Sequence, residues 1–379
     1  MGPLNGFTII EMAGIGPCPM AGMLLADMGA KVIRIEKNKQ RPARYATDIS
    51  GRNKLSMVVD LKQPAGQTVL SDLINEADAL IEGFRPGVME KLNLGPDRCL
   101  AINPALVFGR MTGWGQEGPL AQTAGHDINY IALTGALHAI GRANEKPVPP
   151  LNLVGDFGGG AMFLVCGVLA ALLEARKSGR GQVVDSAMVD GSANLMWMCH
   201  SFNTNKHWDV EQRGNNIVDG GAFFYDTYEC KDKKFIAIGP IEPQFFSEFV
   251  DKAGLDKTVF THQAQADKQQ WSRLKALLQD HLRNKTRDEW CGVFAGSDAC
   301  VAPVLNLDEA PQHPHNRARN TYQNIEDVVH PSPAPRFQRT PSSIRFTQHE
   351  PGQDTRAILT MLNYDSDRIT QLFDAGVVA

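Results

Sequence analysis

Short β-branched runs alternate with amphipathic segments through the first third of the chain, and this alternation constrains the fold more than any other feature. Phe7-Thr8-Ile9-Ile10 reads as a strand. Pro17 opens a helix with Met20, Met23, Leu24, Leu25 and Met28 on its apolar side, and Gly29 stands where a C-terminal glycine closes a helix. Val32 to Ile35 and Leu55 to Val59 are the next strands, a helix runs from Pro64 to about Ala77, and Ala79 to Ile81 and Leu106 to Phe108 are further strands. Strand–helix alternation of this kind predicts an α/β fold with a mostly parallel sheet covered by helices.

From Asn129 to about Ser178 the pattern is helical, with a glycine-rich break at Gly158-Gly159-Gly160. The longest apolar run, Ala161 to Leu173, falls short of the roughly 20 residues that span a bilayer, so it reads as a buried helix with Cys166 in the core. Gln182 to Val184 is a brief strand, and a helix follows from about Met188. Residues 201–222 are polar and asparagine-rich and read as a linker. Beyond them the texture becomes hairpin-like, Phe223 to Glu229 and Phe235 to Ile238 around Lys231-Asp232-Lys233-Lys234, with helices at 243–253 and 270–283. The expected organisation is a large α/β domain over 1–200, the linker, a smaller α+β domain over 223–328, and a Pro- and Ser-rich return segment over 329–379.

A formal charge of −4 gives no reason to expect a nucleic-acid partner. The N-terminus shows no basic region followed by an apolar one, no membrane partner is expected, and seven scattered cysteines without a CxxC fit reduced thiols in a cytoplasmic protein. His313-Pro314-His315 lacks further ligands for a metal, and Gly191-Ser192 lacks the context of a nucleophile elbow.

The first strand–turn–helix invites a dinucleotide reading, with Glu36 where a ribose-binding acid would sit. The turn, Ala13-Gly14-Ile15-Gly16-Pro17-Cys18-Pro19, has the first two glycines of GxGxxG but a proline in place of the third. Proline has no N–H to offer a pyrophosphate at a helix start, which argues against NAD(P). The stretch Lys31 to Lys54 carries Lys31, Arg34, Lys37, Lys39, Arg41, Arg44, Arg52 and Lys54 against Glu36 and Asp48, with Lys62, Arg85 and Lys91 further on. It reads either as a solvated basic loop or as a cradle for a multiply phosphorylated ligand.

Several segments then read together: Gly16-Pro17; Leu24 to Ile33; Gly51-Arg52-Asn53-Lys54-Leu55-Ser56; Asp60-Leu61-Lys62; Gly83-Phe84-Arg85-Pro86-Gly87-Val88; Gly113-Trp114-Gly115-Gln116-Glu117-Gly118-Pro119; and Cys300-Val301-Ala302-Pro303-Val304. The set, spread over nearly the whole chain, resembles the class III CoA-transferase superfamily. Within it, Gly125-His126-Asp127-Ile128-Asn129-Tyr130, Leu153 to Gly160 and Ile241-Glu242-Pro243-Gln244-Phe245 resemble the superfamily's α-methylacyl-CoA racemases. The resemblance implies a Rossmann-like large domain and a small α+β domain. It also implies a homodimer of two interlocked subunits, with each active site between the large domain of one and the small domain of the other. It implies His126 and Asp156 as catalytic bases, Glu242 assisting the histidine, and no cofactor. Lys37, Val59, Asp60, Leu61, Lys62, Arg85, Lys91, Gly125, Asp127, Ile128, Asn129 and Tyr130 are then expected to bind the acyl-CoA thioester. Lys37 and Lys91 stand where these racemases often carry arginine.

The chemistry fits those residue types. Inverting a centre beside a carbonyl removes a proton from one face and returns one to the other, which needs two groups that each act as acid or base. His126 changes charge near neutral pH. Asp156, with an ordinary pKa of about 3.9, works best when burial raises it. The α-carbon acid is weaker than either group by about ten units, a gap of about 14 kcal/mol, so the enolate needs fixed donors; the Asp127 N–H, at the start of the helix expected after His126, is a candidate. Read alone, His126 is a packed or capping histidine, Asp156 a helix N-cap before Gly158, and Glu242 a surface acid at a helix start. The alternative within the superfamily is a CoA-transferase in which Asp156 is a nucleophile.

Overall fold

The computed structural model describes residues 2–37 and 47–379; Lys39, Arg41 and Arg44 of the basic stretch lie outside the described residues. The chain forms two compact units, Met1–Thr134 with Leu151–Leu195 and Ala318–Ala379, and Gly135–Pro150 with Met196–Arg317.

The first unit is built on a six-stranded sheet: β1 Thr8–Met12, β2 Lys31–Glu36, β3 Lys54–Val58, β4 Ala79–Glu82, β5 Val107–Thr112 and β6 Val183–Ala187. The order is β3-β2-β1-β4-β5-β6, and every neighbouring pair is parallel. This is the doubly wound Rossmann order, in which the chain reverses direction across the sheet between β1 and β4. Side chains alternate between two cores. Ile10, Ile33, Leu80 and Phe108 enter the layer with the helix Pro64–Asn75, whereas Ile9, Val32, Ile81 and Val107 enter the layer with the helices Pro17–Asp27 and Met162–Ser178. Both faces are covered, so the strand centres are apolar on both sides, with buried charged residues such as Glu11, Lys54, Glu82 and Arg110 among them. Each fully buried Leu or Ile contributes roughly 1.5–3 kcal/mol.

The glycine-rich break expected at 158–160 is absent. Leu153–Ala161 is a π-helical segment that runs straight into the α-helix Met162–Ser178. The glycines carry no side chain to crowd the widened turns, so they permit the segment instead of ending it. The combined run Leu153–Ser178 has 26 residues and is long and apolar enough to cross a membrane by length and composition, longer than the apolar run seen in the sequence, yet 44% of its most apolar window is buried. Only one face is core. Leu164, Val165, Val168, Ala171 and Leu172 are buried, whereas Met162, Phe163, Leu173 and, against expectation, Cys166 are exposed.

The basic stretch divides. Arg52 pairs with Asp27 at 2.6 Å and Lys54 with Glu11 at 2.5 Å, all four side chains buried. Arg52 also donates to the Pro331 carbonyl at 2.7 Å, and Asn53 donates to Asp27 at 2.8 Å and to the Ser343 carbonyl at 2.9 Å. Gly51-Arg52-Asn53-Lys54 is therefore a clasp that ties the C-terminal segment to the sheet, not a phosphate-facing surface. That segment begins with the hairpin Tyr322–Ile325 and Val328–Pro331, ahead of the expected start at 329. Its helices Thr355–Met361 and Ser366–Asp374 put Ile358, Leu359, Ile369 and Leu372 into the core.

The second unit carries an antiparallel sheet, β7 Asp226–Glu229, β8 Phe235–Ile238 and β9 Val301–Pro303, in the order β7-β8-β9. The helices Pro243–Ala253, Trp271–Leu282 and Arg287–Phe294 close over Phe223, Phe246, Phe249 and Trp290. Two expectations change here. Residues 135–150, expected in the large domain, belong to this unit, where Arg142 pairs with Asp226 at 2.5 Å and Arg213 donates to the His138 carbonyl at 2.7 Å. The expected linker is ordered: it holds the second half of the helix Trp197–Thr204, and buried Asn216 accepts from the Asp209 N–H at 2.7 Å and donates to Asp219 at 2.8 Å.

Candidate active site

Open parallel sheets bind ligands beyond the carboxyl ends of the strands where the winding reverses. A cavity of 520 Å³ lies there. Its walls are Ile15 to Cys18 after β1, Gly83 to Pro86 after β4 and Met111 to Trp114 from β5, closed by Ala121, Thr123 to His126, Tyr130, Asn152, Asp156 and Met188. The turn that resembles a dinucleotide loop is thus a wall of this cavity, and a Cβ on Gly16 would lie 3.5 Å from Asp156 Oδ2.

His126 is the N-cap of the helix Asp127–Leu133, in extended conformation, with its backbone N–H donating to Asn129 Oδ1 at 3.0 Å. Asn129 thereby closes the turn from behind and leaves the His126 side chain exposed. Tyr130 braces the same turn: its hydroxyl donates to the Gly125 carbonyl, and Trp114 meets its ring edge-on at a centroid distance of 4.8 Å.

Asp156 is half-buried in the first turns of the π-helical segment. It is not the N-cap expected from the sequence, since that position belongs to Asn152, whose amide donates to Asp156 Oδ2 at 3.1 Å. Burial raises the Asp156 carboxyl above its ordinary range; the Asn152 hydrogen bond opposes this, the Asp127 charge adds to it, and His126 opposes it. The Asp127 carboxylate, itself buried, accepts from the backbone N–H groups of Gly155 at 2.6 Å and Asp156 at 2.7 Å.

The structure brings Arg85, Gly125, His126, Tyr130 and Asp156 to one cavity. The other expected residues do not line it. Ile128 and Asn129 sit on the exposed side of their helix. Val59 is core, its backbone bridged to Val378. Asp60 accepts from the Lys62 N–H at 3.0 Å and from Gln63 at 3.1 Å, and its carboxyl is held low by these bonds and by Lys62 and Lys37. Lys37, Asp60, Leu61 and Lys62 therefore form a group beyond the carboxyl ends of β2 and β3, on the same edge of the sheet. Lys91 ends the short helix Val88–Lys91 after β4. Glu242, in the second unit, is exposed at the N-cap of Pro243–Ala253. Sequence reasoning passed over Trp114, whose buried Nε1 has no acceptor among the described residues; its place in Gly113-Trp114-Gly115 was the available signal. No group of three or more His, Cys, Asp or Glu among the described residues could hold a metal.

A doubly wound sheet with an acid, a histidine and an arginine at its switch point defines an α/β protein with a ligand site of ionisable groups. Residues 4–355 match the model of CoA-transferase family III, and the chain belongs to that family. It is 42% identical to the alpha-methylacyl-CoA racemase of Mus musculus over 99% of this chain and 97% of that protein. The human protein of the same name is 42% identical over 97% and 96% of the two chains. In structure it is similar to a CAIB/BAIF family protein from Brucella suis, with a TM-score of 0.82 and 23% identity over 95% of this chain and 99% of that one.

Proposed function

We propose that the chain is an isomerase that inverts the carbon next to the thioester of 2-methylacyl-CoA substrates, with His126 and Asp156 as the two proton carriers and no cofactor. The observation that carries this reading is that both side chains border one cavity and that burial raises the carboxyl of the acid. A raised carboxyl narrows its gap to the carbon acid and lets it act as donor as well as base. The relatives named as racemases support the substrate class. In this reading the Asp127 N–H, first in its helix and without an intrahelical acceptor, faces the enolate oxygen. Arg85, with Lys37 and Lys62 along the same sheet edge and Lys91 beyond β4, supplies cations for the CoA phosphates. Two copies assemble, and Glu242 of one supports His126 of the other. The exposed apolar stripe of Met162, Cys166 and Leu173, at helical spacing on Met162–Ser178, supports an assembly that covers it.

Proton NMR of a (2R)-2-methylacyl-CoA in D2O with the purified protein and no additions tests this directly. The α-proton signal decays and both epimers appear. The family name supports a second reading, in which the Asp156 carboxylate attacks the thioester and CoA passes to an acid. An intact α-proton together with CoA transfer to an added carboxylate decides for it.

A further inference from the structure

The free N–H groups at the start of a helix are usually capped by a side chain just before it, and the expectation that Asp156 caps its own helix rested on that rule. Here the capping comes from another element. Asp127, at the first position of the helix that His126 begins, reaches across and accepts from both Gly155 and Asp156 with one oxygen, at 2.6 and 2.7 Å. The fit is close: a Cβ at 155 would lie 2.7 Å from that oxygen and would force the carboxylate to shift. Asp127 is 5% exposed, and its second oxygen is buried with no hydrogen-bond partner among the described residues. A carboxylate kept buried and half-satisfied costs stability, and surface capping alone needs no such arrangement. With the Gly155 and Asp156 N–H groups taken, the Asp156 carboxylate is held among the described residues by the Asn152 amide.

We infer that the Asp127 side chain is a positioning residue: by closing the N–H groups of Gly155 and Asp156 from the neighbouring helix, it frees the Asp156 carboxylate for the cavity and locks it to the element that carries His126. The inference rests on the proton-transfer reading for its consequence but not for its geometry. The groups around Asp156 are His126 and Asp127 on the neighbouring helix, Tyr130 one turn further along it, and Asn152 on its own segment. Of these, Asp127 is the one that holds the backbone of Asp156. Misplacing a reacting group by about 1 Å costs on the order of 100-fold.

The test is α-proton exchange in D2O measured separately from each epimer, with Asp156→Asn identifying the epimer that Asp156 deprotonates. Asp127→Ala keeps the backbone N–H but removes the charge and the oxygen that accepts from Gly155 and Asp156. Exchange from the Asp156-dependent epimer then falls about 10- to 100-fold, while exchange from the other stays within about twofold. Equal losses from both epimers, or none, overturn the inference. If the variant does not fold, Gly155→Ala pushes the same carboxylate aside and must give the same split. If the wild type exchanges neither epimer, the proton-transfer reading fails by itself, and a 13C-carboxyl titration of Asp156 decides the inference. Its midpoint moves down in Asp127→Ala, because a negative neighbour is gone and the released N–H groups are open to the Asp156 carboxylate; an unmoved midpoint overturns it.

Discussion

In the proposed reaction Asp156 and His126 share a proton when the site is ready to work, in either of two arrangements, and the rate is lost when the pair takes up a second proton or gives up its only one. The first loss is governed by the carboxyl. Burial favours its neutral form and outweighs the Asn152 hydrogen bond and the His126 charge, so its pKa stands above the ordinary value of 3.8. On acidification the carboxylate is therefore protonated sooner than a solvated one, and the acid limb of kcat/KM is displaced toward neutral pH. The profile against a 2-methylacyl-CoA should be bell-shaped with an acid midpoint above the usual carboxylate range, and Asp156→Asn should abolish that limb with the activity. A midpoint at or below 3.8 in the wild type would mean that the Asn152 bond dominates over burial.

At the scale of elements, the cavity walls are loops, and each is held from below by a strand. The β4 loop is the clearest case. Buried Glu82, at the end of β4, accepts from the Phe84 N–H at 2.7 Å and from Arg110 of β5 at 3.0 Å, and Arg110 forks onward to Glu90 at 2.8 and 3.3 Å. One guanidinium thus fixes both the loop that presents Arg85 and the short helix that ends in Lys91. Arg110→Met leaves Glu82 buried and unpaired, which costs about 3–5 kcal/mol, and lets both cations drift. Urea unfolding should show the loss of stability, and titration with CoA alone should show affinity weakened about tenfold, the equivalent of 1.4 kcal/mol. Unchanged CoA affinity in a destabilised protein would confine the relay to stability. None of this relay was legible in the sequence, because Glu82, Arg110 and Glu90 become neighbours only through strand pairing. The strands themselves were legible, since a sheet covered on both faces leaves continuous apolar runs such as Val32 to Ile35. The π-helical segment was not. Gly158-Gly159-Gly160 has the composition of a break, and what turns it into helix is the close approach of Gly159 to Ser192 and Gly191 of Met188–Leu195.

For the whole molecule, legibility depended on whether a charge had a partner distant in sequence. Arg52 and Lys54 looked like part of a cationic surface and are buried against Asp27 and Glu11, while Arg85, in a motif of the same kind, reaches the cavity. His126 and Asp156 were recognisable because family resemblance carries such pairings across a gap that local pattern cannot bridge. Glu242 poses the same problem: it lies in a different compact unit from His126 and Asp156, exposed at a helix start. If each site joins the first unit of one copy to the second unit of another, subunits carrying His126→Ala and subunits carrying Glu242→Ala complement each other. A heterodimer of the two has one site that lacks both residues and one that has both, so it recovers about half the wild-type rate per dimer, as two-fold symmetry requires. Either homodimer alone lacks one residue at both sites. Co-expression with two affinity tags isolates the heterodimer, and α-proton exchange measures it. Recovery to about half places Glu242 in trans; a rate no higher than that of the homodimers places it within one chain, because a cis arrangement leaves every site in the mixture with one residue missing.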